Sequence, residues 1–407
     1  MRALVFGVEP ESDGNDLPEE ASPLLRGLAQ TPTGLRDLPE PELPADDWVL
    51  LRTRMCGICG SDSKQVFLDG EPDNAMTAVI SFPQVLGHEL VADVVRAGAA
   101  ARVQPGQRVV LNPWLTCAPR GIDPPCPACA TGDLALCHNF TAGHLAPGIH
   151  TGNSADAPGG FAELLPAHDS MCVPVPDGIP DEVAVLADPF SVSLHAVLRN
   201  PPPPDARVLV YGVGALGSTT VEILRALRPD VRVAAVARFD AQADLARRHG
   251  AIVFRAEPVE DLVRDLATWT DGVLHTPFLG LPWTHPGGFD VIYDTVGSPQ
   301  TLEVGVRVTT ARGTIVITGV ATPGRFEWTP WYFKELRLVG SNAFGIEDVD
   351  GVRQHAIAHY FDLVGSGRVD IADMLTHTFR LERWRDAFTA LADQGTSGAI
   401  KVAFDYR

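Results

Sequence analysis

The chain is 407 residues long, 45% hydrophobic, and carries 32 Lys and Arg against 51 Asp and Glu, a formal charge of −19. That is enough material for two packed domains, and no uncharged apolar run is long enough to span a bilayer, so the chain reads as soluble and globular. Carboxylates in such excess repel phosphate backbones and anionic lipid, which removes nucleic acid and membrane surfaces from the expected partners.

In chain order, Met1 to Phe6 form a strand-like run that leads into an acidic, Pro-rich stretch. This lacks the charged and apolar regions of a signal peptide, so the cytoplasm is the expected compartment. Residues 48–55, 90–95 and 108–111 are short β-rich segments separated by Gly, Pro and Asp, which predicts a β-rich first half. From Arg207 the pattern changes. A buried strand (208–211) leads through a Gly-rich turn into a helix ending near Arg228, then a strand (231–236) and a helix to about His249. Strands alternating with helices imply a parallel sheet, continued by strands at 289–293, 314–318 and 336–340. Helices and a closing strand follow. The run Pro201 to Pro204 punctuates the change of regime. Residues 271–288, rich in Gly, Pro and aromatics, exceed an ordinary connection and read as an insertion, surface ornament in preference to an active-site lid.

Gly212, Gly214 and Gly217 form a G-x-G-x-x-G that follows a predicted strand and opens a predicted helix. In that context the motif holds a dinucleotide. Gly212 permits the turn, Gly214 and the N–H groups of Ala215 and Leu216 face the pyrophosphate, and Gly217 packs the helix on the strand. At the end of the next strand, Ala237 stands where a carboxylate would grip a ribose 2′-hydroxyl, and Arg238 follows it. This favours NADP over NAD; the opposing reading has Asp240 supply the carboxylate from a displaced position.

The seven cysteines are Cys56, Cys59, Cys117, Cys126, Cys129, Cys137 and Cys172, an odd count with one tight cluster. In a reducing compartment that pattern favours metal over disulfide. Cys117, Cys126, Cys129 and Cys137 offer four thiolates, the set of a closed structural zinc site. A second constellation is dispersed, as a catalytic site with an open coordination position requires. Its candidates are Cys59, His88 with Glu89 beside it, and Asp188; Ser61 is placed to relay a proton and Asp62 to orient a ligating histidine. Taken singly, His88 reads as a core histidine, Cys59 as a small hydrophobe and Asp188 as a helix cap.

Together these stretches resemble the zinc-containing medium-chain dehydrogenase/reductase family, particularly its sorbitol, glucose and threonine dehydrogenase-like branch. The match runs through Gly57 to Asp62, Val85 to Glu89, Gly106 to Val109, the four cysteines, Gly159 to Glu163, Asp188 to Val197 and the Gly212 to Gly217 turn. The resemblance implies an α/β protein with two parts. One is a GroES-like β catalytic domain over 1–190, completed by 345–407. The other is a Rossmann doubly wound parallel-sheet domain over 191–344, with the active site in the cleft. It implies a catalytic zinc on Cys59 and His88, joined by Glu89 or Asp188, and a second, structural zinc. It places Lys401 near the cofactor's pyrophosphate and assigns nicotinamide contacts to Val296, Thr318, Val320 and Asn342. The expected reaction is hydride transfer between a secondary alcohol or polyol and NAD(P), Ser61 taking the proton, in a homodimer or homotetramer.

Four departures stand out. Asp188 is a methylene shorter than the branch's usual Glu, and Lys64 replaces a common proton-relaying histidine. Eight residues separate Cys117 from Cys126 where two are usual, and the stretch from Glu9 to Pro44 has no counterpart role. Two rival readings remain: a carbonyl reductase of a bulky specialised metabolite, and a non-catalytic zinc- and dinucleotide-binding protein. The aromatic run Trp328 to Phe333 would line the larger pocket of the former, although it reads first as core packing or a subunit contact.

Overall fold

Two regimes of hydrophobic patterning become two compact units in the computed structural model, which describes residues 1–10, 22–70 and 73–407. One unit comprises Met1–Asp188, Phe344–Gly365 and Leu375–Arg407, and the other Pro189–Ala343 and Ser366–Met374. No helix among the described residues is long and apolar enough to cross a membrane.

The first unit is built on a seven-stranded sheet. Its ordered path runs Leu375–Phe379, Lys401–Asp405, Trp48–Gly57, Glu89–Ala97, Arg108–Leu111 and Cys172–Pro174, while Leu164–His168 also pairs with Trp48–Gly57. The near-continuous burial of the central strands packs Trp48, Val49, Leu51, Leu90, Val94 and Phe404 into one core, which Phe161 joins from outside the strands. The final strand runs antiparallel to Trp48–Gly57, with Ala403 opposite Gly57, so the chain's last residues finish the sheet that its first fifty begin.

Of the stretch from Glu9 to Pro44, residues 11–21 lie outside the described residues. Part of the remainder reaches the core. Ser22 caps the helix Pro23–Gln30 by accepting the Leu25 N–H, Leu28 is buried, and the strand Thr33–Asp37 pairs with Arg2–Phe6. The expected β-rich half therefore contains a helix that its Pro and Gly content disguises.

The second unit holds a six-stranded parallel sheet. Across it run Ile252–Arg255, Arg232–Ala237, Arg207–Tyr211, Phe289–Asp294, Thr309–Ile317 and Arg337–Gly340. In chain order this is 3-2-1-4-5-6, the doubly wound arrangement in which ligands bind at the carboxyl ends of the strands. Residues 271–288 form a small antiparallel hairpin, Leu274–His275 against Trp283–Thr284.

Within this unit His249, at the end of the helix Asp240–Arg248, is clasped between Glu222 (2.8 Å to Nδ1) and Asp373 (3.3 Å to Nε2); Asp373 also pairs with Arg248. The Glu222 hydrogen bond, against an opposing burial effect, raises the pKa of His249. A raised histidine pKa stabilises the fold fully below the unfolded value of about 6.5, and the contribution disappears as pH rises through the higher folded value. The thermal midpoint is thus expected to fall on the alkaline side of that window. A His249→Gln variant, followed by calorimetry across pH, should lose that part of the slope.

Candidate active site and metal centres

The strand Trp48–Gly57 ends where Glu89–Ala97 begins, Gly57 lying opposite Glu89. Cys59 follows the first strand by two residues and His88 directly precedes the second, so strand pairing alone delivers both to one place. One ligand atom from each of Cys59, His88 and Glu89 falls within 4.8 Å of the others. Asp62 fixes the arrangement. From the helix Gly60–Val66 its carboxylate accepts the Cys59 N–H at 2.9 Å and the Gly87 N–H at 3.3 Å, and faces His88 Nδ1 at 3.8 Å. Burial raises the Asp62 pKa. Burial alone would lower that of His88, but the charges of Asp62 and Cys59 carry it well above the usual imidazole range.

These residues fit a zinc ion. A thiol, an imidazole and a carboxylate converge within the width of a coordination sphere. His88 Nδ1 and Asp188 Oδ2 are buried without a hydrogen-bond partner, which in an empty site costs about 1–3 kcal/mol for each group. Asp188, offered as an oxygen donor by the sequence, lies outside the close triplet. Burial pushes its pKa up to about 7.

The Lys401 ammonium is buried against Glu89 and donates to the Ile58 carbonyl at 3.0 Å. A buried ammonium requires a carboxylate, and Glu89 supplies it. Although burial opposes it, the Glu89 charge raises the Lys401 pKa. Ser61 is exposed in the first turn after Cys59, and Lys64, one turn further, is half-buried with its pKa lowered by desolvation. A group that sequence reasoning missed is His150. Its ring lies 4.4 Å from that of His88, edge-on to Trp114, with Nδ1 2.6 Å from the Thr151 carbonyl. Only the fold brings it there, since no spacing motif links it to His88.

The four-cysteine lobe closes as a second centre. The sulfurs of Cys117, Cys126, Cys129 and Cys137 lie within 4.8 Å of one another, Cys117 to Cys137 at 3.8 Å. Backbone N–H groups of Cys126, His138 and Asn139 and the Asn139 amide point at these sulfurs, as thiolate ligands require. Burial opposes ionisation of Cys126, yet the N–H groups of Cys129 and His138 bring its pKa down to about 6. The lengthened Cys117–Cys126 loop is held by Arg120. This buried guanidinium donates to the carbonyls of Leu115, Ala142, Leu145, Ala146 and Gly148. All five of its N–H donors are satisfied.

In the second unit, Gly212 (φ +83°) turns the chain out of the strand Arg207–Tyr211, and Gly214 precedes the helix Ala215–Leu227. A Cβ on Gly217 would collide with the Gly212 carbonyl, whereas one on Gly214 would meet nothing. The open face at Gly214, with unsatisfied N–H groups of the first helical turn, fits a pyrophosphate. Val296, Thr318, Val320 and Asn342 follow the strands Phe289–Asp294, Thr309–Ile317 and Arg337–Gly340, at the same carboxyl edge. Asp294, which the sequence did not single out, braces that edge by accepting the N–H groups of Val296 and Gly297 and the Thr301 hydroxyl. Arg238 is exposed, its guanidinium 5.2 Å over the Phe239 ring, and Asp240 is engaged by Arg255.

Comparison with known proteins agrees with this architecture. Residues 45–177 match the alcohol dehydrogenase GroES-like domain, and residues 215–358 match the zinc-binding dehydrogenase domain. The chain is 28% identical to (R,R)-butanediol dehydrogenase of Saccharomyces cerevisiae over 93% of its length and 97% of that protein's. It is 27% identical to D-arabinitol dehydrogenase 1 of Uromyces fabae, covering 86% of this chain and 88% of the relative. A solved zinc-binding dehydrogenase of Sinorhizobium meliloti 1021, bound to NADP, superposes with a TM-score of 0.68 at 26% identity, covering 99% of each chain. The chain belongs to the zinc-containing alcohol dehydrogenase family.

Proposed function

We propose that this family member is a zinc-dependent alcohol or polyol dehydrogenase. It transfers a hydride between a secondary alcohol or polyol, or the corresponding ketone or aldehyde, and NAD(P), and works as a homodimer or homotetramer. The convergence of Cys59, His88 and Glu89 around unpartnered buried polar atoms carries this reading. The diol and pentitol named for two relatives favour a substrate with more than one hydroxyl.

Cys59 and His88 would hold the catalytic zinc, with Glu89, Asp188 or water completing the shell, and the four-cysteine lobe would hold a structural ion. Bound zinc supplies Lewis acidity, which brings the pKa of an alcohol hydroxyl toward neutrality. Asp62 keeps the His88 ring turned toward the site. Ser61 Oγ takes the hydroxyl proton as it hands its own onward, and Lys64, its pKa already lowered, would accept that proton and release one to solvent. Metal analysis of the purified protein is expected to give about two zincs per chain. Exhaustive chelation should remove turnover; a rate undiminished without zinc would sink the reading.

NADP is the preferred cofactor in this proposal. Arg238 is exposed and makes no ion pair among the described residues, while Asp240, the carboxylate that could claim a ribose hydroxyl from a displaced position, is occupied by Arg255. Arg238→Ala is expected to raise the KM for NADP roughly 10- to 100-fold, the loss of a charge-assisted contact. The KM for NAD should move by less than about threefold. Equal effects on both cofactors in steady-state kinetics would show that Arg238 does not read the 2′-phosphate.

A further inference from the structure

His150 stands outside the close ligand triplet and takes no step in the chemistry above, yet it is firmly held. Its backbone is pinned first. The Asn153 amide oxygen accepts the N–H groups of Ile149 and His150 at 2.8 and 3.0 Å. On either side, the Ile149 carbonyl accepts the Leu115 N–H at 2.9 Å, and the Thr151 N–H donates to the Pro113 carbonyl at 2.8 Å. The ring is then fixed in turn. Trp114 meets it edge-on at 5.8 Å and is itself met edge-on by Phe344 at 5.9 Å, while Nδ1 lies 2.6 Å from the Thr151 carbonyl.

A carbonyl oxygen can only accept, so Nδ1 carries the hydrogen, and the neutral ring keeps its lone pair on Nε2. Nε2 makes no hydrogen bond among the described residues and, unlike His88 Nδ1, is not sealed inside protein. Packing against His88 alone would be served by a phenyl ring, which has no polar atom to leave unpaired. An oriented acceptor beside the ligand triplet instead calls for a donor from outside the chain. The two imidazole centres are 4.4 Å apart, and a hydrogen bond spans about 3 Å. The donor therefore belongs on an atom close to an oxygen drawn to Cys59 and His88, as the second hydroxyl of a vicinal diol is.

We infer that His150 Nε2 accepts a hydrogen bond from the substrate hydroxyl next to the one that reacts, which makes His150 the residue that selects vicinal diols and polyols over simple alcohols. The inference rests on the dehydrogenase reading above and deepens it. A monohydric alcohol sets an alkyl group against the acceptor and leaves its lone pair unsatisfied, a penalty that discriminates more sharply than a missing apolar contact. The second hydroxyl does not react. Its hydrogen bond is made alike in the bound substrate and in the transition state, so its loss is read in KM and hardly in kcat.

Two measurements on the full-length, zinc-loaded protein test this, one of them independent of turnover. Heteronuclear NMR of nitrogen-labelled histidine, with the His150 signal assigned by its absence from His150→Phe, should show hydrogen on Nδ1 and none on Nε2. The Nε2 resonance should move when 2,3-butanediol is added and stay in place with 2-butanol. Hydrogen on Nε2, or equal shifts with both, would overturn the inference. In steady-state kinetics over vicinal diols, pentitols and their deoxy analogues, the wild type should prefer the former. His150→Phe keeps the bulk of the ring and should raise the KM for diols about 10- to 100-fold. Its kcat, and its KM for monohydric alcohols, should change by less than about threefold. His150→Gln restores an acceptor and should recover part of the preference; it also serves the comparison if metal analysis finds that the phenylalanine variant has lost zinc. Equal losses on both substrate classes would reduce His150 to a support for His88. Turnover by the wild type without preference for diols would overturn the inference alone, whereas no turnover of any alcohol would overturn the dehydrogenase reading with it.

Discussion

Replacing Cys59 by alanine is expected to lower kcat by about 10³-fold or more, equivalent to roughly 4 kcal/mol of lost transition-state stabilisation. Dinucleotide affinity should change little. Cys59 sits where one strand ends against the start of its neighbour, and its N–H is held by Asp62, whose carboxylate also faces His88. Removing the sulfur leaves the imidazole and Glu89 within reach of one another without the thiolate that completes the set. The Gly212–Gly217 turn belongs to the other sheet and keeps its geometry. Metal analysis with fluorescence titration of NADPH separates the two effects. A Cys59→Ala protein that turns over at the wild-type rate would remove the assigned site, and one that also fails to bind dinucleotide would point to a global defect.

Arg120→Met is the second large effect. The side chain is buried and feeds five carbonyls spread over Leu115 to Gly148, so its loss strips the cysteine lobe of its internal brace. Removing charged donors from several buried carbonyls costs on the order of 4 kcal/mol. We expect a markedly lower thermal midpoint and loss of about one zinc per chain, read by scanning fluorimetry and metal analysis. Activity should fall as well. The braced segment runs straight into His150, whose ring rests against His88. An unchanged melting profile would show that the lengthened Cys117–Cys126 loop does not depend on its arginine.

The sequence made the second unit almost fully legible, because its features are local. Continuous apolar runs, a glycine turn and helical punctuation placed the strands Arg207–Tyr211, Arg232–Ala237 and Phe289–Asp294 within a residue or so. The strand Ile252–Arg255 and the helix Val259–Trp269 escaped notice, the strand because its residues are largely exposed or half-buried and carry no buried stripe. In the first unit the cysteine cluster and the Gly57 to Asp62 and Val85 to Glu89 segments were readable as motifs. What surrounds them was not. The Lys401 pairing with Glu89, the close tilted contact of His150 with His88 and the reach of Arg120 across its loop depend on contacts between residues far apart in the chain, which no spacing rule encodes. The helix Pro23–Gln30 was hidden for another reason: its apolar face is short, and its packing against Phe67 shows only in three dimensions.

The closing strand Lys401–Asp405 has a consequence for synthesis. Glu89 receives its buried counter-charge from Lys401, which also bonds the carbonyl of Ile58, 343 residues earlier. While the chain is still emerging from the ribosome, the nucleotide-binding sheet has all its strands and can fold, but the catalytic sheet lacks the one that lines Gly57. Glu89 would then face the nascent metal pocket as an unpaired carboxylate, too costly to bury. Completion of the catalytic centre therefore waits on the strand Lys401–Asp405, and a chain cut before Lys401 would keep the nucleotide-binding strands while Glu89 stayed without its counter-charge.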